Sequence, residues 1–395
     1  MGCRSDHVTN CNLERTSMLT KPNCFTLDSN FDYYREYDST KGPENGWVAH
    51  NSELPVMNFD YSTIFYDAIF LEGHNKIIIS GPPLLNLTDR FLRFDLHLKT
   101  SNGTEVLKPT RTFTGSHVYI WEFFTTADTV KDGHAQFAQG QRELIQIRTV
   151  KQQKRKITLT TLQKDNPVQW IIDWVNFHSQ IGVDHFVIYD NGSSYQDALE
   201  EQISTALPNV QVEVIAWNFP YGPTRHGQMK FCQVGQLNHC LTSNVDCEWL
   251  LNLDVDEYLI LENGKKGIEE FVANIDPKIG LVHIPGRVVV NTNDSARTLE
   301  LTVRDFSYID KKPQKIANKF LVRTAAAYVL HIHSAKIFEK YEELTLPLEN
   351  LCFFHYKSLT TNWQQAPTPA RTRQQRIQDN VHEKSMIVQT ILERK

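Results

Sequence analysis

The sequence contains no uninterrupted apolar run of about 18 residues, which excludes a legible membrane-spanning helix. Its opening segment also lacks the apolar core of a secretory signal. The chain therefore reads as soluble as given or as preceded by an upstream N-terminus, and membrane association would come only through an anchor missing here. There is no excess of positive charge: 41 Lys+Arg face 46 Asp+Glu, a formal net charge of −5, so a polyanion such as nucleic acid is excluded as a partner over a broad face. No C-x-x-C pair occurs among the 7 cysteines, which argues against a zinc ribbon or a thioredoxin-like motif. Cys232, Cys240 and Cys247 are close in sequence. They are either buried thiols or, in an oxidising lumen, a source of a Cys232–Cys240 or Cys240–Cys247 bridge. The start Met1-Gly2-Cys3 carries Asp6 where a myristoylation signal requires Ser or Thr. Internal repeats and low-complexity tracts are also missing.

What is present divides into four segments. Residues 1–50 are polar and include the turn-rich Lys41-Gly42-Pro43-Glu44-Asn45-Gly46, which predicts a tail. Residues 51–150 carry short β-branched and aromatic runs broken by Gly81-Pro82-Pro83 and Ser101-Asn102-Gly103, the pattern of a small β-sandwich. In this segment Phe94, Leu96 and Leu98 alternate with polar residues, as on a half-buried antiparallel strand. The basic stretch Lys151-Gln152-Gln153-Lys154-Arg155-Lys156 reads as a solvated linker or as a phosphate-binding patch. Sequons at Asn86, Asn102, Asn191 and Asn293 are candidate glycan acceptors.

Over 151–365 strand and helix alternate, which predicts an α/β unit on a mostly parallel sheet. The first strand covers 157–162. A helix follows, with Asn166 as its cap, Pro167 in its first turn and Gly182 just past its end. Its apolar stripe is Ile171, Trp174, Val175 and His178, with Asp173 and Asn176 turned away. His185 to Asp190 reads as a buried strand, and strands at 210–214 and 248–254 each follow a helix, at 195–206 and 226–243. The end, 366–395, reads as an exposed basic helical segment.

Ligands of open α/β sheets bind beyond the carboxyl ends of the strands. Two strand ends draw attention. Asp190 could accept hydrogen bonds from a ribose or a base. In Leu253-Asp254-Val255-Asp256-Glu257-Tyr258, an extended backbone would project Asp254 and Asp256 to one side, where two hard oxygen ligands could share a divalent cation and through it a diphosphate. Val329-Leu330-His331-Ile332-His333-Ser334, read as a strand, would place both imidazoles on one face.

The ordered set Trp170-Ile171-Ile172-Asp173-Trp174-Val175-Asn176-Phe177-His178, Ile181-Gly182-Val183 through Tyr189-Asp190-Asn191-Gly192-Ser193, Gln228 to Cys240 and Leu253 to Tyr258 resembles glycosyltransferase family 92 over roughly 157–360. The resemblance implies a GT-A fold, Rossmann-like, with a smaller all-β domain before it. It implies an inverting, metal-dependent hexosyltransferase that moves galactose from UDP-galactose to a glycan acceptor, with manganese as the ion or magnesium as an alternative, in the Golgi or secretory pathway. By position, Asp254 and Asp256 match the metal and diphosphate ligands, and Glu257 the acidic residue after them. Asp190 matches the nucleoside reader, with Thr160 or Thr161 nearby, and Gln228 and Asn238 match polar helix positions. His333, or His331, matches a late metal ligand. Lys315 resembles a basic residue that meets the diphosphate, Lys319 and Lys357 could contact phosphate, and Phe354-His355-Tyr356 resembles a late His-Tyr element.

Inversion also needs a general base at the acceptor hydroxyl. Asp305, Asp294 and Glu300 are the candidates, Asp305 first. Trp217, Phe219, Tyr221 and Trp363 could stack on sugar rings. Two other readings stand beside the enzyme: a non-catalytic carbohydrate-binding or scaffold protein with a degenerate transferase domain, and a nucleotidyltransferase, which also uses paired carboxylates and a metal.

Overall fold

The structure, a computed structural model, describes residues 19–28, 31–36, 59–100, 103–221, 231–261, 267–290, 302–306, 308–310, 318–356, 382–384 and 387–392. Asp294, Glu300, Gln228, Lys315, Lys357 and Trp363 lie outside the described residues, as do the sequons at Asn102 and Asn293.

The expected β-sandwich forms from a four-stranded and a five-stranded sheet. Phe94, Leu96 and Leu98 point into a core shared with Phe65, Trp121 and Phe137, as their alternation predicts. The outer face of the five-stranded sheet is not solvated. Its Ile69, Leu71, Ile78 and Ile120 pack on Val234 and Val329 of the α/β unit.

In that unit the elements that position the site are β1 (Arg155–Gln163), α1 (Val168–Gln180), β2 (His185–Asp190), α2 (Gln196–Ala206), β3 (Val212–Ala216), α3 (Phe231–Ser243), β4 (Cys247–Asn252), β5 (Glu257–Leu261), β6 (Ile279–Ile284), β7 (Lys319–Arg323), β8 (Ala327–Leu330), β9 (Ala335–Ile337), β10 (Glu342–Thr345) and β11 (Leu351–His355). The main sheet has the order β3-β2-β1-β4-β7-β6-β10. Its first four strands are parallel, and β7 runs antiparallel to both β4 and β6. This mostly parallel sheet, flanked by helices and preceded by the sandwich, is the α/β arrangement that the alternation of elements predicts. β2 is buried at every residue, which is why its sequence runs His-Phe-Val-Ile-Tyr-Asp without polar alternation.

Helix α3 lies between this sheet and the sandwich, and every residue from Phe231 to Thr242 is buried. Gly235 is required there, because a Cβ would come within 2.4 Å of the Tyr66 ring. A polar joint crosses the same seam. Asp67 Oδ2 meets Arg148 Nη2 at 2.9 Å and His239 Nε2 at 2.9 Å, and His239 Nδ1 lies 2.7 Å from the Tyr189 hydroxyl. Burial pushes the Asp67 carboxyl up, but His239 and the Arg148 guanidinium outweigh it and hold the group below the usual range.

Several local expectations change. The polar tail does not hold over 19–28 and 31–36: Phe25–Thr26 pairs with Thr63–Phe65, Leu27 is buried, and Phe31 and Tyr33 pack on the sandwich core. An aromatic minority in a polar stretch completes that core. Arg35 is buried with it, donating to the carbonyls of Asp60 (2.5 Å), Pro83 (2.8 Å) and Thr63 and pairing with Asp60 Oδ1 at 3.4 Å. In α1, Pro167 and not Asn166 occupies the cap position, while Gly182 takes φ +100° just past the end, as expected. Asp173 is buried, not turned away, and accepts from Gln169 at 2.9 Å. The terminal helix Ile387–Leu392 lies on α1 with Val388 and Leu392 in the core, so the exposed basic helix does not hold at this end. Cys24, Cys232, Cys240, Cys247 and Cys352 are free thiols, so neither suggested bridge forms. Asn191 is buried and donates to the carbonyls of Trp217 (2.6 Å) and Phe219 (2.8 Å), which removes it as a glycan acceptor. Among the described residues no helix is long and apolar enough to cross a membrane.

Arg35→Ala leaves Asp60 buried without its counter-charge and should cost about 3–5 kcal/mol; an unchanged urea midpoint would contradict the packing of Arg35 against the sandwich. His178, wholly buried on α1, donates from Nδ1 to the Trp174 carbonyl (2.8 Å) and accepts at Nε2 from the Leu259 amide (3.2 Å), and burial lowers its pKa to about 3. The lowered folded value favours the neutral form, so this contribution is present above the unfolded pKa of about 6.5 and is lost as pH falls toward 3. Urea unfolding between pH 7 and 4 should show stability falling with acid, with a shallower slope in His178→Asn.

Candidate active site

β4 delivers its last buried residues, Leu250, Leu251 and Asn252, to the carboxyl edge of the sheet. The chain then turns back at once, and the Glu257 amide donates to the Asp254 carbonyl at 2.9 Å. Asp suits the first position of such a turn. The extended arrangement expected for Asp254 and Asp256 is therefore replaced by a β-turn. β5 begins at Glu257 and pairs antiparallel with β11, which sets His355 opposite Glu257. The Tyr356 amide donates to the Asp256 carbonyl at 2.8 Å. β7, antiparallel to β4, begins at Lys319 beside the same turn.

Five ionisable side chains converge. Lys319 Nζ lies 3.0 Å from Asp254 Oδ2 and 2.8 Å from Glu257 Oε2, and His355 Nε2 lies 3.5 Å from Asp256 Oδ2. Glu257 Oε2 also accepts the Asp254 amide at 2.8 Å. Side-chain exposure ranks them: 43% for Asp254, 18% for His355, 14% for Asp256, 3% for Glu257 and 2% for Lys319. Asp254 is thus the carboxylate that faces outward, and the Lys319–Glu257 pair lies beneath it. Burial raises the Glu257 carboxyl to about 7 against the pull of Lys319, and the charges of Asp254 and Asp256 add to the rise. Burial lowers the Lys319 ammonium, but Asp254 and Glu257 outweigh it and hold the group above its ordinary value.

With all three carboxylates ionised, the single ammonium leaves the turn an excess of negative charge. That excess and the outward oxygens of Asp254 fit a divalent cation held by one or two carboxylates and completed by substrate phosphates. A closed protein cage is not present: among the described residues no three His, Cys, Asp or Glu are grouped to hold a metal ion.

The other expected site residues are more dispersed. Thr160 Oγ1 donates to the Val187 carbonyl (3.0 Å) and accepts from Gln236 Nε2 (2.8 Å). Thr161 Oγ1 and Asn252 Nδ2 are buried without a hydrogen-bond partner, an arrangement that calls for an explanation such as a bound molecule. Asp190 Oδ1 accepts from the amides of Gly192 (3.0 Å) and Ser193 (2.8 Å) and from Gln196 Nε2 (2.7 Å), and Oδ2 accepts from Gln163. Its carboxylate organises the turn into α2. Asn238 grips the backbone of Leu330, donating to its carbonyl (2.8 Å) and accepting from its amide (2.9 Å). β8 ends at that residue, so His331 to Ser334 form a hairpin turn, not a strand. His331 lies edge-on to His117 of the sandwich at 6.1 Å, and His333 is exposed on the turn. Asp305 falls in the short helix Val303–Asp305. Trp217 is core, donating from Nε1 to the Cys232 carbonyl at 3.0 Å, and the Tyr221 hydroxyl donates to Gln233 Oε1 at 3.1 Å. Lys319 and His355 were legible only as a phosphate contact and part of a family element, since nothing nearby in sequence announces their acidic partners.

The family model for glycosyltransferase family 92 matches residues 159–390, more than half of the chain. The chain belongs to that family. Among curated relatives, a glycosyltransferase family 92 protein of Oryza sativa subsp. japonica is 29% identical over 29% of this chain and 18% of its own length. One from Ricinus communis is 26% identical over 49% of this chain and 33% of its own. The matched stretches thus cover a third or less of these relatives. Solved structures of lower likeness include S. aureus TarS 1-349 (15% identity, 43% of this chain and 47% of that one, TM-score 0.28) and glucosyl-3-phosphoglycerate synthase from Mycobacterium tuberculosis in complex with Mn2+, UDP-glucose and phosphoglyceric acid (17%, 43% and 57%, TM-score 0.24). At those scores neither carries an argument about this chain.

Lys319→Met leaves Glu257 and Asp254 facing each other and should cost about 3–5 kcal/mol at pH 8. Glu257, its folded pKa then still further above the unfolded value, favours folding when protonated, so the deficit should shrink as pH falls toward 5. Urea midpoints at the two pH values test this; a variant as stable as the parent at pH 8 would refute the buried pairing.

Proposed function

We propose that this chain is a metal-dependent, inverting glycosyltransferase that moves a hexose, galactose in the first instance, from a UDP-sugar to a glycan acceptor in the Golgi or secretory pathway. The observation that carries the reading is the acidic turn at the carboxyl end of β4, where Asp254 faces outward above the buried Lys319–Glu257 pair. Family membership supports the reaction class. Asp254 and Asp256 would hold the ion, manganese or magnesium, which when bound supplies neutralisation of the departing diphosphate. His333 or His331 completes the ligand set in the reading from sequence; His355 is the imidazole adjacent to Asp256.

The remaining work falls to the chain itself. Lys319 keeps Asp254 and Glu257 at fixed positions before the donor arrives, so little reorganisation is needed when charge develops at the leaving oxygen. Asp190 shapes the loop between β2 and α2 against which a nucleoside would rest, and Thr161 and Asn252 offer unpaired polar atoms at the same edge. Gln228 and Lys315 are proposed donor contacts. Asp305, Asp294 and Glu300 are the proposed bases that take the acceptor proton. One observation favours the non-catalytic alternative: Lys319 already neutralises part of the acidic turn.

A single experiment separates the two. UDP release from UDP-galactose and other UDP-sugars is measured with and without manganese. Metal-dependent release, lowered about 100-fold or more in Asp256→Asn with its unfolding midpoint little changed, is the expected outcome. No turnover of any UDP-sugar and no thermal stabilisation by UDP with manganese, while glycans bind, would sink the enzyme reading.

A further inference from the structure

The two sequons that fall within the described residues differ in what their asparagines do. Asn86-Leu87-Thr88 comes after Gly81-Pro82-Pro83, where two prolines without a backbone N–H end the strand Lys76–Gly81. The chain then forms the short 3-10 helix Leu85–Leu87 and the helical turn Thr88–Phe91. Leu84 and Leu87 are buried in the sandwich core, and Asn86 between them is exposed. The Thr88 hydroxyl, half-buried, donates to the Leu85 carbonyl at 2.6 Å and so stays within the same turn.

Asn86 uses both ends of its amide. Oδ1 accepts from the Glu36 amide at 2.9 Å, and Nδ2 donates to the Tyr34 carbonyl at 3.0 Å, which fastens the segment 31–36 to the turn. A primary amide nitrogen carries two protons, and the Tyr34 carbonyl takes one. A sugar on Nδ2 replaces only the other, so a glycosylated Asn86 keeps both backbone contacts with the sugar on the exposed side. Asn191 has no such spare proton. Buried beside Cys232, its Nδ2 donates to two carbonyls, those of Trp217 at 2.6 Å and Phe219 at 2.8 Å. A sugar there would break one of these bonds and would need space inside the core.

We propose that Asn86 is a site of N-linked glycosylation, the acceptor for an oligosaccharide delivered on a lipid diphosphate. Asn86 Nδ2 forms the bond to the anomeric carbon as the bond from that carbon to the diphosphate oxygen breaks. One amide proton passes to base, and the lipid diphosphate leaves. Because the remaining proton serves the Tyr34 carbonyl, the segment 31–36 docks on the turn with the glycan in place. The modification rests on the secretory location proposed above and not on the chemistry of the acidic turn.

The test supplies that location. The full chain is expressed in eukaryotic cells behind a cleavable secretory signal, and the protease-resistant product from microsomes and medium is mapped by peptide mass spectrometry, with and without peptide N-glycosidase in heavy-oxygen water. Asn86 should carry a glycan in at least about half of the molecules, and Asn191 should carry none. Thr88→Val leaves Asn86 and its two backbone contacts in place but should lose the glycan, whereas Thr88→Ser should retain it. An unmodified Asn86, a glycan on Asn191 in the folded product, or a glycan that persists at Asn86 in Thr88→Val would each overturn the assignment. Since the signal is added, an unmodified Asn86 counts against the site itself; failure of the secretory reading shows separately, as loss of the glycan only when the chain is expressed without that signal.

Discussion

A lysine ammonium buried between two carboxylates is the interaction on which the carboxyl edge of the sheet depends. Lys319 begins β7, Asp254 follows β4 and Glu257 begins β5, so one charge ties three elements together at 2.8–3.0 Å. An acidic turn of this density would repel itself without such a partner, and a buried Glu257 would be driven to take up a proton. Because the ammonium sits below and Asp254 stays half open above, the turn remains negative on its outer side. That asymmetry makes a structural ion pair and a cation-attracting surface compatible within a few ångströms.

The same economy of contacts holds at the centre of the molecule. α3 contacts the main sheet on one side and the sandwich on the other, so the sandwich is part of the core of the α/β unit and not an appendage to it. Asn238 extends the helix's reach to the hairpin that carries His331 and His333. The Asp67–His239–Tyr189 joint runs from the sandwich to the residue before Asp190, and Arg148, on the sandwich strand paired with that of Asp67, closes it.

Residues in long, one-character stretches were readable in advance. β2 is apolar throughout because both its faces are covered, and α1 ends at Gly182 because only glycine takes that left-handed backbone readily. The tail was misread because its few aromatics lack periodicity and acquire meaning only when Thr63–Phe65 lies beside them. Asp254 and Asp256 have the same letters in a strand as in a turn, and the hydrogen bond that decides between them forms only in the folded chain.

The alternation of elements, the family and the acidic motif at a strand end were therefore set by the amino-acid sequence alone, since each is a matter of local order and residue type. Which oxygens face outward, which carboxylate is paired, and where Lys319 comes to rest 65 residues after Asp254 were decided by the tertiary structure. The reason is that burial and charge compensation are properties of neighbours in space, and those neighbours arrive from strands that meet only when the sheet closes.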